Sequence, residues 1–290
     1  MKKKILAFIL IILTVLLSFC FLSCGKTDNS KSLSDIIKSD KLRVGIIPSL
    51  PGLCEYNENS QKYEGYEIDI AFIITQKIFG CTYDEAKKKL VFVIVEPENR
   101  VNYLENDKVD LIIAGFTANE LNGKRVALST PYLTPSLGLV SLTEEKIKSL
   151  NAMNGKNIGT VEGMNTDSLV KTFIRESGLD ITVNCVKIDQ EMFNAYIVSL
   201  RTDITPSENL TEFGCDCLVT DNLRFTDYVK NKEDYFDMTA VGQSYAIAAA
   251  KGSDMLIQRI NIALGEMEAN DEFEGLQIMW NLKSGAIKYD

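Results

Sequence analysis

At 290 residues and 46% hydrophobic composition, the chain can bury one large core or two modest ones, and its length favours two. Forty acidic residues against thirty-one basic ones give a net charge of −9, so no basic field draws the chain to phosphate backbones or anionic headgroups, and nucleic acid is not an expected partner. The absence of histidine removes the commonest general base, the commonest transition-metal ligand and every Ser-His or Cys-His nucleophile pair, so most hydrolytic mechanisms go with it and neither metal nor cofactor is expected.

Lys2, Lys3 and Lys4 precede an apolar run from Ile5 to Leu22 that only Thr14, Ser18 and Cys20 interrupt. A charged segment followed by an apolar one reads as an export signal over residues 1–23, although the run is also long enough to span a membrane. Phe21-Leu22-Ser23-Cys24 resembles a bacterial lipobox, in which the cysteine takes a diacylglyceryl group and becomes the new N-terminus; Phe21 stands where leucine is usual. The resemblance implies a lipid anchor at Cys24, a tether over 24–35 with a polar, Ser-rich stretch from Asp28 to Ser34, and a domain held outside the cytoplasm, in a periplasm or on the outer face of the cell membrane. Beyond Cys24 lie Cys54, Cys81, Cys185, Cys215 and Cys217, an odd number that cannot pair completely within one chain. Cys215-Asp216-Cys217 lacks the spacer of a zinc knuckle, and within a strand its two side chains share one face, so ordinary buried thiols are expected, with room for one disulfide.

From residue 42 strand and helix alternate. Leu42 to Ile47 is a β-branched run ended by Pro48, with Pro51-Gly52 in the loop that follows. Apolar residues at 68, 70, 71, 74 and 78 predict a helix from Tyr66 to Phe79 that Gly80 closes. A strand over Leu90 to Val95, a helix over Arg100 to Asn106 and a strand over Val109 to Gly115 complete a βαβαβ order, which argues for a doubly wound, mostly parallel sheet. After Pro131-Tyr132 and an extended run from Leu137 to Leu142 the cycle repeats: strand Asn157 to Val161, helix Thr166 to Ser177, strand Ile181 to Ile188, helix Glu191 to Leu200 and strand Cys217 to Thr220. Asp203 to Glu212 reads as an inserted surface loop. Tyr245 to Ala250 is extended, and Leu256 to Glu268 and Glu272 to Trp280 are amphipathic helices with no lobe of their own.

Gly65-Tyr66-Glu67-Ile68-Asp69-Ile70 matches the signature of the solute-binding proteins for polar amino acids that serve ABC importers, although Thr75 stands where that pattern prefers a smaller or apolar residue. Lys108 through Thr117, Ser129-Thr130-Pro131-Tyr132, and Tyr245 through Lys251-Gly252 follow in family order, so the chain resembles family 3 of these proteins over nearly everything from 42 to 282. The resemblance implies an α/β type II periplasmic-binding fold of two doubly wound lobes, 36–138 plus 246–290 and 139–245, joined by crossing strands near Gly138 to Ser141 and Gly242 to Ala246. It implies a small amino-acid-like ligand held between the lobes outside the carboxyl ends of the strands, hinge closure over it, and delivery to an ABC permease. No catalysis is expected.

The resemblance also assigns residues. Asp221, just past Leu218-Val219-Thr220, takes the ligand ammonium; a strand-end carboxylate facing the crevice suits this, although Asp221 would equally cap a helix ahead of Leu223. Gly115 and Thr117 occupy the loop that offers donors to the ligand carboxylate. The arginine that clamps that carboxylate in the family falls at Asn122, so the clamp is missing; Arg125, three residues on and on the same helical face, is either its substitute or a solvated surface arginine. Ile47 and Leu50 stand where an acid and a stacking aromatic are common, and Met164-Asn165 replace the Ser or Thr after Gly163, which predicts a more apolar pocket. Glu98-Asn99-Arg100 resembles the acidic-amino-acid branch, in which an arginine at the Arg100 position reaches a second carboxylate; the alternative is an ordinary first-turn residue. Two rival classes share the fold. One is a free-standing sensory receptor, and the other a periplasmic dehydratase-like enzyme using Glu67, Glu96, Glu98 or Glu162 as acid or base.

Overall fold

The computed structural model describes residues 32–282 apart from 51, 142–145, 202–213 and 222–234; the export signal, Cys24, the tether and the loop expected at Asp203 to Glu212 lie outside the described residues. Two five-stranded mixed sheets carry the fold. The first holds β1 (Leu42–Ile46), β5 (Leu90–Ile94), β6 (Leu111–Ile112), β7 (Val126–Leu133) and β13 (Tyr245–Ala250) in the order β5-β1-β6-β13-β7. Its β5, β1 and β6 run parallel, and β13 is antiparallel to both β6 and β7. The second holds β8 (Ser136–Ser141), β9 (Asn157–Val161), β10 (Asn184–Ile188), β11 (Cys217–Asp221) and β12 (Tyr235–Gly242) in the order β10-β9-β11-β8-β12, with β10, β9 and β11 parallel and β8 antiparallel to β11 and β12. A small antiparallel meander, β2 (Ser49–Leu50), β3 (Cys54–Asn57) and β4 (Lys62–Glu64), fills the stretch that follows β1.

Each five-stranded sheet is buried on both faces, and the period of two in its strands sorts side chains between two cores. In the first, Leu42, Val44 and Ile46, Leu111 and Ile113, and Ile247 and Ala249 join one core, while Ile112, Ala114 and Ala248 join the other. In the second, Leu137, Leu139, Cys217 and Val219 face one way and Val140 and Leu218 the other. The sequence expectation for the cysteine pair fails here. β11 begins only at Cys217, so Cys215 lies ahead of the strand and packs in the opposite core. All five described cysteines are thiols, and burial pushes Cys54 and Cys217 well above the usual thiol range.

Helix α2 (Tyr66–Phe79), which follows α1 (Leu33–Ser39), shows why the signature motif sits where it does. A Cβ on Gly65 would lie 2.3 Å from the Leu53 carbonyl oxygen, and Gly65 has a φ of 137°, so glycine alone lets the meander pass this closely. That approach puts carbonyls onto the first turn: Tyr66 N donates to Gly52 O (3.0 Å) and Glu67 N to Leu53 O (2.9 Å), satisfying amides that no side chain caps. Ile68, Ile70, Ala71, Ile74 and Ile78 are buried, each isoleucine contributing about 1.5–3 kcal/mol relative to exposure. Thr75 fits because its hydroxyl bonds back to Ala71 O at 2.7 Å. Gly80 ends the helix in the left-handed region, after which α3 (Tyr83–Lys89) leads into β5.

The chain leaves the first sheet after Leu133 and enters the second at Ser136; it returns between Gly242 and Tyr245, and Gln243 N donates to Pro135 O (3.0 Å) where the two crossings meet. The terminal helices α8 (Asp254–Ala269) and α9 (Glu272–Met279) then pack with α2 on the first lobe, where Trp280 Nε1 donates to Asp69 Oδ2 at 2.7 Å. Three strand expectations shift. The Val109–Gly115 strand pairs regularly only at Leu111–Ile112, Ile181–Ile188 begins at Asn184, and β7 was not expected because Pro131 interrupts it. Proline is tolerated there because β7 is an edge strand.

Candidate functional site

The carboxyl ends of the parallel strands in both sheets face one interlobe crevice. From the first lobe and its return crossing come Leu50, Gly115, Gln243 and Tyr245. From the second come Val161, Met164, Thr166, Gln190, Phe193 and Thr220, and together they enclose an inner cavity of about 40 Å³. That space suits a few water molecules and falls well short of the roughly 300 Å³ at which small-molecule sites begin. A second, outer cleft of about 530 Å³ opens beside it, at the ends of β1, β5 and β10, and Gln190 lines both.

The lobes touch closely. A Cβ on Gly163 (φ 75°) would lie 2.5 Å from Glu98 N and from the Pro97 carbonyl carbon, so glycine in the second lobe admits the backbone of the first. Met164, next in sequence, packs against cores of both lobes and brings its Sδ to 3.7 Å from Arg100 Nη2.

Arg100 opens α4 (Arg100–Glu105), yet it is not a solvated first-turn residue: only 3% of it is exposed. Its Nη1 donates to Ala114 O (2.7 Å) and its guanidinium lies 4.6 Å from the centre of the Phe116 ring. The described ion pairs of arginine join Arg43 to Asp107 and Asp110 and Arg125 to Glu105, so Arg100 has no carboxylate partner among the described residues. Burial lowers its pKa to about 10, opposed by the field of Tyr245, Tyr132, Glu67 and Glu98.

Beneath the cavity, Glu67 is fully buried; its Oε1 accepts from Gly115 N (2.7 Å) and from the Tyr132 hydroxyl, while the Tyr66 hydroxyl donates to Tyr132 O (2.9 Å). Burial, reinforced by Glu67, holds the Tyr132 phenol well above its usual range. The Gly115 amide, expected to face a ligand, is thus committed to Glu67. What Gly115 gives the cavity is a left-handed turn (φ 55°) without a side chain.

The structure gathers some of the expected residues and disperses others. Leu50 and Gly115 line the inner cavity. Thr117 is buried and points its hydroxyl at Gln243 Oε1 (3.3 Å), which in turn is tied through Nε2 to the Tyr245 hydroxyl (3.0 Å). Asn122, in α5 (Glu120–Arg125), folds back to donate to Thr117 O (2.7 Å), so it braces the loop. Arg125 is turned to the exterior, where it pairs with Glu105 (3.0 Å) and reaches Asn102, and it lines neither pocket. Asn165 precedes α6 (Thr166–Ser177) as an N-cap that makes no side-chain cap bond, outside the cavity wall. Asp221 ends β11 opposite Leu137, at the crevice end of the strand; its side chain lies outside the described residues.

Two wall residues escaped the sequence reading. Thr166 and Gln190 open α6 and α7 (Gln190–Arg201), are 8% and 6% exposed, and carry Oγ1 and Oε1 atoms that accept or donate no hydrogen bond among the described residues. Their signal was positional: a polar residue at the first turn of a helix after a parallel strand lies at the crevice.

Comparison with known proteins fits this geometry. The chain is 28% identical over 286 residues, 96% of its length and 97% of the relative's, to the ABC transporter glutamine-binding protein GlnH of Bacillus subtilis (strain 168), and 25% identical over 285 residues, 97% and 98%, to the arginine-binding extracellular protein ArtP of the same organism. Among solved structures, an ancestral arginine-binding protein bound to arginine superposes with a TM-score of 0.63 at 28% identity, covering 83% of this chain and 98% of that one. The two-lobed architecture is the type II periplasmic-binding fold. Residues 42–283 match the family of bacterial extracellular solute-binding proteins, family 3, and the chain belongs to that family.

Proposed function

We propose that this solute-binding protein closes its lobes, about 36–138 plus 246–290 and 139–245, on an amino-acid-like zwitterion and presents it to an ABC permease from the outer face of the membrane, where a lipid on Cys24 holds it. The observation that carries the ligand class is Arg100. A buried guanidinium without a carboxylate is an expensive group to keep unless an anion meets it in use. Met164, an unbranched and adaptable side chain, separates Arg100 from the inner cavity, and its displacement opens the guanidinium to a ligand carboxylate. Arg100 then takes the role that Asn122 cannot fill, and Asp221 at the end of β11 receives the ammonium. Thr166, Gln190 and Thr117 supply neutral hydrogen bonds, and the aliphatic wall of Leu50, Val161 and Val219 suits a ligand with apolar carbons.

The relatives' names, a glutamine-binding and an arginine-binding protein, support an amino-acid ligand. We also read the chain as a receptor that catalyses nothing. Glu96, Glu98 and Glu162 are exposed, and Glu67 is fixed by Gly115 and Tyr132, so none is a buried carboxylate free to move a proton at the cavity. A thermal-shift panel of amino acids and their decarboxylated or N-acylated analogues tests the reading. A ligand at a hundred times its Kd adds about 2.7 kcal/mol to native stability. Stabilisation by free amino acids but by neither analogue class is expected; stabilisation only by solutes lacking a carboxylate overturns it. Mass spectrometry of the recovered solute should show it unchanged.

A further inference from the structure

The outer cleft is not used by that zwitterion model, and its chemistry is of one sign. Glu96 and Glu98 border it from the loop after β5, and Asp189 and Glu191 border it from the start of α7 on the facing lobe; no lysine or arginine is among its described lining residues. Only Asp189 has a described side-chain hydrogen bond, accepting from Met192 N at 2.6 Å. The charges are spread along both lips, since no three acidic groups converge closely enough to hold a metal ion among the described residues. At the floor, Gln190 donates through Nε2 to Asn194 Oδ1 (3.0 Å), while its buried Oε1 accepts nothing among the described residues. Because Gln190 lines both spaces, an extended ligand anchored in the inner cavity reaches the outer cleft past this acceptor.

We propose that the outer cleft holds a second, cationic group at the far end of the ligand, so that the solute is a basic amino acid or an amine-tailed or guanidino-tailed derivative. The buried Arg100 repels a cation from the inner end, and the carboxylates of both lips attract one at the outer end, which fixes the ligand's direction. Gln190 Oε1 accepts from the tail's N–H groups as they pass. Closure brings lips from both lobes around the same cation, so the tail adds to ligand-driven closure as well as to affinity.

This inference rests on the amino-acid reading above, and matched isosteres separate the two. Calorimetry on the full chain compares arginine with citrulline and lysine with norleucine, each pair nearly equal in shape and differing in tail charge. Arginine or lysine should bind at least about tenfold tighter than its neutral partner, an advantage that shrinks with added salt because the lips are exposed. In the double variant Glu96→Gln, Glu98→Gln the advantage should fall to about threefold or less, and Gln190→Leu should weaken the cationic member more than the neutral one. Circular dichroism checks that each variant is folded, and Glu191→Gln, an exposed single change on the other lip, provides a second variant. If citrulline and norleucine bind as tightly as their partners, or the double variant leaves the ratio intact, the cationic tail is refuted while the amino-acid reading stands. If no member of either pair binds, the amino-acid reading falls and takes this inference with it.

Discussion

Gly163→Ala tests closure itself. Its new Cβ would meet Glu98 N and the Pro97 carbonyl carbon at 2.5 Å, both backbone atoms that no rotamer change can move, and reaching the 3.4 Å of ordinary contact requires the lobes to part by roughly 0.9 Å. Overpacking of this kind costs about 1–3 kcal/mol, and the contact exists only when the lobes meet. The left-handed φ of 75° adds roughly 1–2 kcal/mol of strain, but that strain is present in open and closed forms alike and cancels from the closing equilibrium. Closure and the affinity coupled to it should therefore fall about 5-fold to 150-fold. Gly178→Ala is the matched control, because Gly178 has a φ of 70° and open space around its position. It should lower the melting temperature without touching affinity. Calorimetry with the strongest solute of the panel gives the affinity, and small-angle scattering with and without it gives the compaction. If Gly163→Ala binds and compacts like the wild type, the Gly163 contact does not report a functional closed state.

Four further outcomes follow from the same geometry. Arg100→Ala removes a charge-assisted hydrogen bond worth about 1.5–3 kcal/mol, so carboxylate ligands should bind roughly 10-fold to 150-fold more weakly by calorimetry, with little loss of melting temperature because no ion pair is broken. Asp221→Ala should cost about 2–5 kcal/mol in binding an α-ammonium, and unchanged affinity would remove the residue from the site. Asp69 sits above the usual carboxylate range because burial outweighs its bond from Trp280; a raised folded pKa stabilises below the unfolded pKa and loses that contribution as pH rises through the folded value. Asp69→Asn should thus melt closest to, or above, the wild type at neutral pH and fall behind it on acidification, followed by Trp280 fluorescence. Cys24→Ala should abolish labelling with a radioactive fatty acid and leave residues 1–23 uncleaved; labelling that survives in the variant refutes the anchor.

Much of the fold was legible because the informative signals were local. The α2 helix declared itself through apolar spacing between two glycines, and each glycine is needed for a reason the structure supplies, a 2.3 Å approach at Gly65 and a left-handed cap at Gly80. The repeated strand–helix order likewise gave two doubly wound sheets. The meander β2–β4 was not legible: its strands are two to four residues long and largely polar, and they form because Leu53, Cys54 and Tyr63 pack onto a core built from distant segments. Asp110 shows the same dependence on distance. It belongs to a motif the family shares, but its work is structural, accepting from Arg43 N (2.8 Å) and pairing with the guanidinium at 2.6 Å from across the β1–β6 edge.

The site was less legible than the fold, and Asn122, Arg125 and Arg100 show why. Helical periodicity places Arg125 on the same face as Asn122, yet which way that face turns depends on partners elsewhere in the chain. Glu105, twenty residues earlier, captures Arg125 on the outside, while Asn122 is drawn to the Thr117 carbonyl. Arg100 is distinguished from a solvated first-turn arginine only by Ala114 and Phe116, which cover it from the next strand end, and by Met164 from the facing lobe. Burial also changes what the residue can do. On the outer surface a guanidinium is half neutralised by water and by its neighbours, and holding a ligand there is worth little. Beneath Met164, with water excluded, the same group is an anion site whose strength depends on whether the lobes are closed, so a single arginine can supply both recognition of the carboxylate and the differential binding that drives closure.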